Sequence, residues 1–389
     1  MPFRPSQRIN ALPPYLFVEI DRKKAAAIEA GRDVINFGIG DPDLPTPGFV
    51  VERLARAAAD TSTHRYPSGV GSPAFRKGVA NFMRRRYGVS LDPNGEILAL
   101  IGSKEGIGHL PLAVINPGDR VLAPDPAYPV YHSGTIFAGG QHVVLPLDPE
   151  RGWLPDFDKV PTEAARGAAL MFLNYPNNPT GACAPLEFFE RAVAFARRND
   201  LLLAHDAAYN EMYYGAEPPP SVLQVPGAKD VAIEFHSASK SFNMTGWRIG
   251  FAAGNRDVLA ALAKIKANMD SGQFAAVQEA AVAAFDQYDC EELRRNRKTY
   301  GRRCRALAAA LSEIGFAAGE PQATFYVWAK APAGYDGMAV VNKLLDEAAI
   351  VCVPGAGFGA RGRDFVRFAM TVPQERVETA VARMRDLEW

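Results

Sequence analysis

The stretch AALMFLNYPNNPTGACAPLEFFERAVAFARRNDLLLAHDAAY, Ala168 to Tyr209, decides the fold. It opens with an apolar run, Ala168–Leu173, turns through a string rich in Asn and Pro, and continues as an amphipathic segment, Pro185–Asn199. A second apolar run, Leu201–His205, then stops at Asp206. Strand, turn, helix and strand in that order form the repeating unit of a parallel sheet. The alternation extends in both directions. Strand-like runs occur at Ile97–Ile101, Arg120–Ala123, Gln141–Leu147, Val231–Ser237 and Ile249–Ala253; helical patterns occur at Pro73–Tyr87, Lys104–Val114 and Val258–Met269. Residues 46–285 are therefore predicted to form a large α/β domain around a mostly parallel central sheet. Residues 286–389 predict a smaller α+β domain. It has helices at Glu291–Ile314, Gly337–Glu347 and Gln374–Leu387, and strands at Thr324–Ala329 and Ala349–Val353. Residues 1–45, a Pro-rich arm with one helix at Leu16–Ala30, are expected to join the smaller domain.

Composition narrows the function. The 389 residues carry 43 Lys+Arg against 43 Asp+Glu, so no basic excess points to nucleic acid. With 48% hydrophobic and 22% charged residues, the chain has enough apolar material to fold without a metal or disulfide staple. Cys183, Cys290, Cys304 and Cys352 have no metal-binding spacing and read as small buried hydrophobes. The polar start, Met1–Asn10, has no apolar core of a signal peptide. Apolar runs such as Leu201–Ala204 are too short to span a bilayer. A cytoplasmic protein with no metal, membrane or nucleic-acid partner is expected.

Five short strings could carry chemistry. In Ser237-Ala238-Ser239-Lys240, followed at a distance by Arg248, a lysine sits among hydroxyls with a guanidinium nearby. That suits a Schiff-base lysine beside a phosphate pocket, and equally a solvated lysine in a Ser-rich loop. Asn174–Gly181 ends a strand and reads alone as an Asn-Pro turn. Asp206 sits at a strand's C-terminal end, where α/β sheets bind ligands, with Tyr209 three residues on. It could hold a pyridine nitrogen protonated or cap a helix. Gly102-Ser103-Lys104-Glu105-Gly106 opens a helix whose free N–H groups favour a phosphate; it also reads as a capped turn. Arg367, between apolar neighbours in Phe365–Met370, suits a carboxylate clamp or a structural ion pair. Gly355–Ala360 satisfies G-x-G-x-x-A, but too little chain follows for the βαβ unit of a dinucleotide site.

Taken together and in order, these strings resemble the class I/II aminotransferases, pyridoxal 5'-phosphate (PLP) enzymes of fold type I. The resemblance is closest to the LL-diaminopimelate aminotransferase subgroup, through Gly102–Gly106 with Ile107 and His109, Asp125–Tyr131, Asn243–Gly250 and Val353–Gly359. It implies transfer of an amino group between an amino acid and a 2-oxo acid. It implies that Lys240 is the Schiff-base lysine and proton shuttle, and that Asp206 keeps the pyridine nitrogen protonated. Tyr209 and Asn178 would bond the ring hydroxyl, and Tyr128 would stack on the ring. Ser103, Lys104, Ser237, Ser239 and Arg248 would hold the phosphate. Arg367 would clamp the α-carboxylate, with Asn178 beside it. Ile39 and Gly40 would close over substrate, and Tyr15 would line the pocket. Tyr66 would reach the cofactor phosphate of the neighbouring subunit, which implies a homodimer with composite sites.

One position departs from the subgroup. A Glu is usual in the loop after the Tyr66 equivalent, where it helps recognise the substrate's distal ammonium group; here the residue is Val70. A broader aminotransferase for aspartate, alanine or aromatic amino acids is therefore a second expectation. A PLP-dependent C–S lyase of the same fold is a third.

Overall fold

The mostly parallel sheet predicted from the alternating pattern forms in the computed structural model, which describes residues 4–12 and 17–389. Its strands lie in the order Ile97–Leu100, Gly250–Gly254, Ala232–Ser237, Leu202–Asp206, Ala168–Asn174, Arg120–Asp125, Gln141–Asp148 and Leu154–Pro155. The run from Ala232–Ser237 to Gln141–Asp148 is parallel throughout. Gly250–Gly254 is antiparallel to both its neighbours, and Leu154–Pro155 is an antiparallel edge. Strands in the middle are buried on both faces, hence continuously apolar. Register pairs Asn174 with Asp206 and Asp206 with Phe235, so the C-terminal ends of these strands finish together.

Helices cover the sheet for local reasons. Pro73–Tyr87 starts at Ser72, whose side chain accepts from the Phe75 N–H, with proline in its first turn. It stops at Gly88, which takes a left-handed φ of 69°. Between these ends it buries Phe75, Val79, Phe82 and Met83 on one face.

A second core forms elsewhere. Leu307, Leu311, Val341, Leu344, Phe368 and Met384 pack with Ile20, Ile35 and Phe37 from near the other end of the chain. The antiparallel sheet beside them runs Ala317–Ala318, Tyr326–Lys330, Phe365–Ala369 and Val353–Pro354. The predicted strand Ala349–Val353 is split in two. Ile350–Val351 pairs in parallel with Ile35–Asn36, while Val353–Pro354 joins Phe365–Ala369. The predicted Thr324–Ala329 starts two residues later, because Thr324 takes a φ of 65°. The long helix Glu291–Glu313 spans both cores: Leu293 packs in the first, Leu307 and Leu311 in the second. The Gly355–Ala360 string forms 3-10 turns between two strands of the antiparallel sheet, so no dinucleotide loop arises. Cys304 and Cys352 are buried as read, whereas Cys183 and Cys290 are half-buried.

Candidate active site

Strand ends of the large sheet and the second core enclose a cavity of about 410 Å³. Its walls carry Gly40, Ser103, Lys104, Tyr128, Asn178, Asp206, Tyr209, Ser237, Ser239, Lys240, Arg248 and Arg367. These predicted residues come from strings far apart in sequence, and the sheet's common edge brings them together.

Lys240 sits in the short turn of helix Ala238–Ser241, directly after a strand. Ser237 ends that strand and accepts from the Ser239 N–H at 3.2 Å. The Lys240 Nζ donates to the Gly40 carbonyl at 2.7 Å. Burial lowers its pKa to about 8; Arg248 and Arg367 push the same way and Asp41 opposes. Asp206, on a parallel strand, accepts from the Tyr131 hydroxyl at 2.8 Å and from the Ala208 N–H at 3.2 Å. Burial raises its carboxyl above the usual range in spite of those bonds. It bonds a turn N–H and caps no helix.

One end of the cavity is built for an anion. Gly102 takes a φ of 75° and delivers Ser103 as the first residue of helix Ser103–Val114. The Arg248 guanidinium donates to the Ile101 carbonyl at 3.2 Å, the Thr245 carbonyl at 2.8 Å and the Ser239 hydroxyl at 3.4 Å. A Cβ on Gly102 would lie 2.3 Å from the Arg248 Nη2, so only glycine lets the guanidinium lie there. Ser103, Ser237, Ser239, a helix N-terminus and Arg248 thus line the same cavity.

The other end suits a carboxylate. Arg367 donates to the Asn178 Oδ1 at 2.9 Å and to the Gly38 carbonyl at 3.0 Å. Its Nε is buried without a partner. The guanidinium carbon lies 4.2 Å from the Tyr326 ring centre and 4.8 Å from that of Phe358, so two aromatic faces hold the fork.

A sequence profile for aminotransferase class I and II matches residues 32–384. The chain belongs to this family. Among relatives, the LL-diaminopimelate aminotransferase of Syntrophobacter fumaroxidans is 54% identical over 391 residues, covering all of both chains. The LL-diaminopimelate aminotransferase of Aquifex aeolicus is 52% identical, covering 99% of this chain and 100% of its own. Among solved structures, substrate-bound BacF from Bacillus subtilis superposes with a TM-score of 0.94 at 36% identity, covering 99% of this chain and 98% of that one.

Class I/II aminotransferases depend on PLP, and this aminotransferase's cavity fits it. A desolvated amine, an anion end and a carboxyl raised by burial are all present. Ile39 is exposed and lines a separate small hollow beside Arg367. Tyr66 is 91% exposed and lies outside the cavity. Tyr15 falls outside the described residues.

Sequence reasoning missed several supporting residues of this aminotransferase. Tyr131 is only one letter of the Asp125–Tyr131 string in the sequence, yet its hydroxyl holds Asp206. Tyr326 meets the Tyr209 hydroxyl at 2.9 Å and underlies Arg367. Asn174 donates to the Asp206 carbonyl and accepts from the Asn178 N–H, each at 2.8 Å. The pairing of Asn174 with Asp206 in neighbouring strand ends was the available signal. Among the described residues, no helix is long and apolar enough to cross a membrane.

Proposed function

We propose that this aminotransferase moves the amino group of LL-diaminopimelate to 2-oxoglutarate, a step of lysine biosynthesis. The observation that carries the reading is end-to-end identity of 54% and 52% with two enzymes of that name. PLP, when bound, supplies a carbonyl that condenses with amines and a ring that draws electrons from the substrate's Cα. Ser103, Lys104, Ser237, Ser239 and Arg248 would hold its phosphate, Tyr128 its ring face, and Tyr209 and Asn178 its ring hydroxyl. The Asp206 carboxylate keeps a proton on the ring nitrogen by charge pairing. Arg367 and Asn178 orient the substrate's α-carboxylate, and Gly40 backs the lysine. The Lys240 Nζ, neutral in part because it is desolvated, takes the proton from the substrate's Cα at short range.

We infer further that the enzyme is a cytoplasmic homodimer, with Tyr66 of each subunit reaching its partner's cofactor phosphate. We divide it into an arm of residues 1–45, a large domain of 46–285 and a small one of 286–389. Ile39 would close over substrate.

Half-reactions test the substrate. Each amino acid is mixed with enzyme, and loss of the absorption band of lysine-linked cofactor is followed. LL-diaminopimelate and glutamate should convert fastest. No conversion with LL-diaminopimelate would refute the reading. Val70, 38% exposed where a carboxylate was expected, favours a second reading with broader specificity. Faster conversion of aspartate, alanine or phenylalanine than of LL-diaminopimelate would select it. Pyruvate or ammonia release without an oxo-acid acceptor would select a lyase.

A further inference from the structure

Asp125 and the glycines of Gly355–Ala360 have no part in the chemistry above, yet the structure joins them. Asp125 ends the strand Arg120–Asp125 in the large sheet and is only 8% exposed. Its Oδ1 accepts the Arg361 N–H at 3.2 Å. Two residues on, the Ala127 N–H donates to the Phe358 carbonyl at 2.7 Å. Gly359 takes a φ of 134°, and a Cβ there would lie 2.1 Å from the Asp125 Oδ1. The glycine is therefore required for this backbone to close on the carboxylate. The joined segments belong to different cores: one leads to Tyr128, the other precedes the strand Phe365–Ala369.

Phe358 carries one anchor point in its own carbonyl and lies three residues before the other, Arg361. Its ring faces the Arg367 guanidinium at 4.8 Å and meets Trp328 edge-on at 6.0 Å. A guanidinium recognises a carboxylate as a planar fork, so its tilt matters as much as its charge. The Tyr326 and Phe358 rings both lie against the fork.

We propose that Asp125 is a positioning residue for the Arg367 clamp: by holding the 359–361 backbone it fixes Phe358, which sets the plane of the guanidinium. The proposal rests on the reading of Arg367 as the α-carboxylate clamp, and it gives the Gly-rich string its role.

The test separates KM from kcat. Asp125→Ala should raise KM for both amino acid and oxo acid about 10-fold, with kcat within about 3-fold of wild type. The absorption band of lysine-linked cofactor should be unchanged. Asp125→Asn, which keeps an acceptor oxygen, should restore KM to within about 3-fold of wild type. Gly359→Ala should raise KM as Asp125→Ala does, and it probes the same contact from the other side. In an Arg367→Ala background, Asp125→Ala should add less than about 2-fold, because both act through one group. An unchanged KM in Asp125→Ala, a lost absorption band, or full additivity with Arg367→Ala would overturn the proposal. If Arg367→Ala itself leaves KM unchanged, the clamp reading fails and takes the proposal with it. If Arg367→Ala raises KM and Asp125→Ala does not, only the positioning role falls.

Discussion

In the proposed reaction Lys240 is both a base and a partner for a carbonyl, and an ammonium can be neither. Desolvation resolves this by lowering its pKa to about 8. A lowered pKa leaves the amine neutral at lower pH than an ordinary lysine. In cofactor-free enzyme, labelling of Lys240 by an amine-selective reagent should rise through pH 8 and level off above it. A midpoint near the ordinary lysine value, about 10.4, would refute the effect of burial. Lys240→Ala should lose both the lysine-linked absorption band and transamination. Asp206 depends on a neighbour that sequence alone did not mark. Tyr131 donates to it at 2.8 Å, and a hydrogen bond to a charged group contributes about 1.5–3 kcal/mol. Tyr131→Phe should therefore lower kcat/KM about 10- to 100-fold. The lost bond favoured the carboxylate, so the Asp206 pKa rises and the acid limb of the kcat/KM profile should move to higher pH. An acid limb that stays in place would separate Tyr131 from Asp206.

Elements carry the site by where they end. Strands such as Ala168–Asn174 and Leu202–Asp206 were legible almost to the residue, because continuous apolar runs stop at polar residues that the site uses. Other elements were not legible. Ala275–Asp286 packs alanines in several directions against its neighbours, so no single apolar stripe shows in its sequence. The split of Ala349–Val353 depends on partners from both ends of the chain, Ile35–Asn36 and Phe365–Ala369, which no local pattern reveals. Tyr326 reaches the site only through the register that pairs its strand with that of Arg367. Turn chemistry, by contrast, was visible at Gly102. Gly102→Ala would force a side chain into a positive φ and against Arg248, 2.3 Å away. Backbone strain of that kind costs about 1–3 kcal/mol, so the melting temperature should fall. Displacement of Arg248 should also weaken cofactor binding, measured by equilibrium dialysis. Unchanged affinity would mean that Arg248 tolerates the shift.

At the scale of the whole molecule, the two ends of the cavity differ in what completes them. The anion end has its serines and Arg248 in one subunit, yet the resemblance assigns it one more hydroxyl, that of Tyr66. In a single chain that residue is 91% exposed. Exposed apolar side chains grouped into a patch, rather than scattered singly, mark an interaction surface. The nearby loop is held within the chain: the backbone of Ser68 and Gly69 packs against Gly272, which takes a φ of 83°. Beside it, Val70, Met269 and Phe274 expose apolar side chains. A second copy of the chain, related by a two-fold axis, would bury this patch and place each Tyr66 near the other's anion end. Tyr66→Phe keeps the ring and removes only the hydroxyl. It should therefore sediment as the unaltered enzyme does while weakening cofactor binding several-fold. Release of the hydrogen bond should appear as faster cofactor loss on dialysis against phosphate. A monomer that retains full activity and cofactor affinity would show instead that each chain builds its anion end alone.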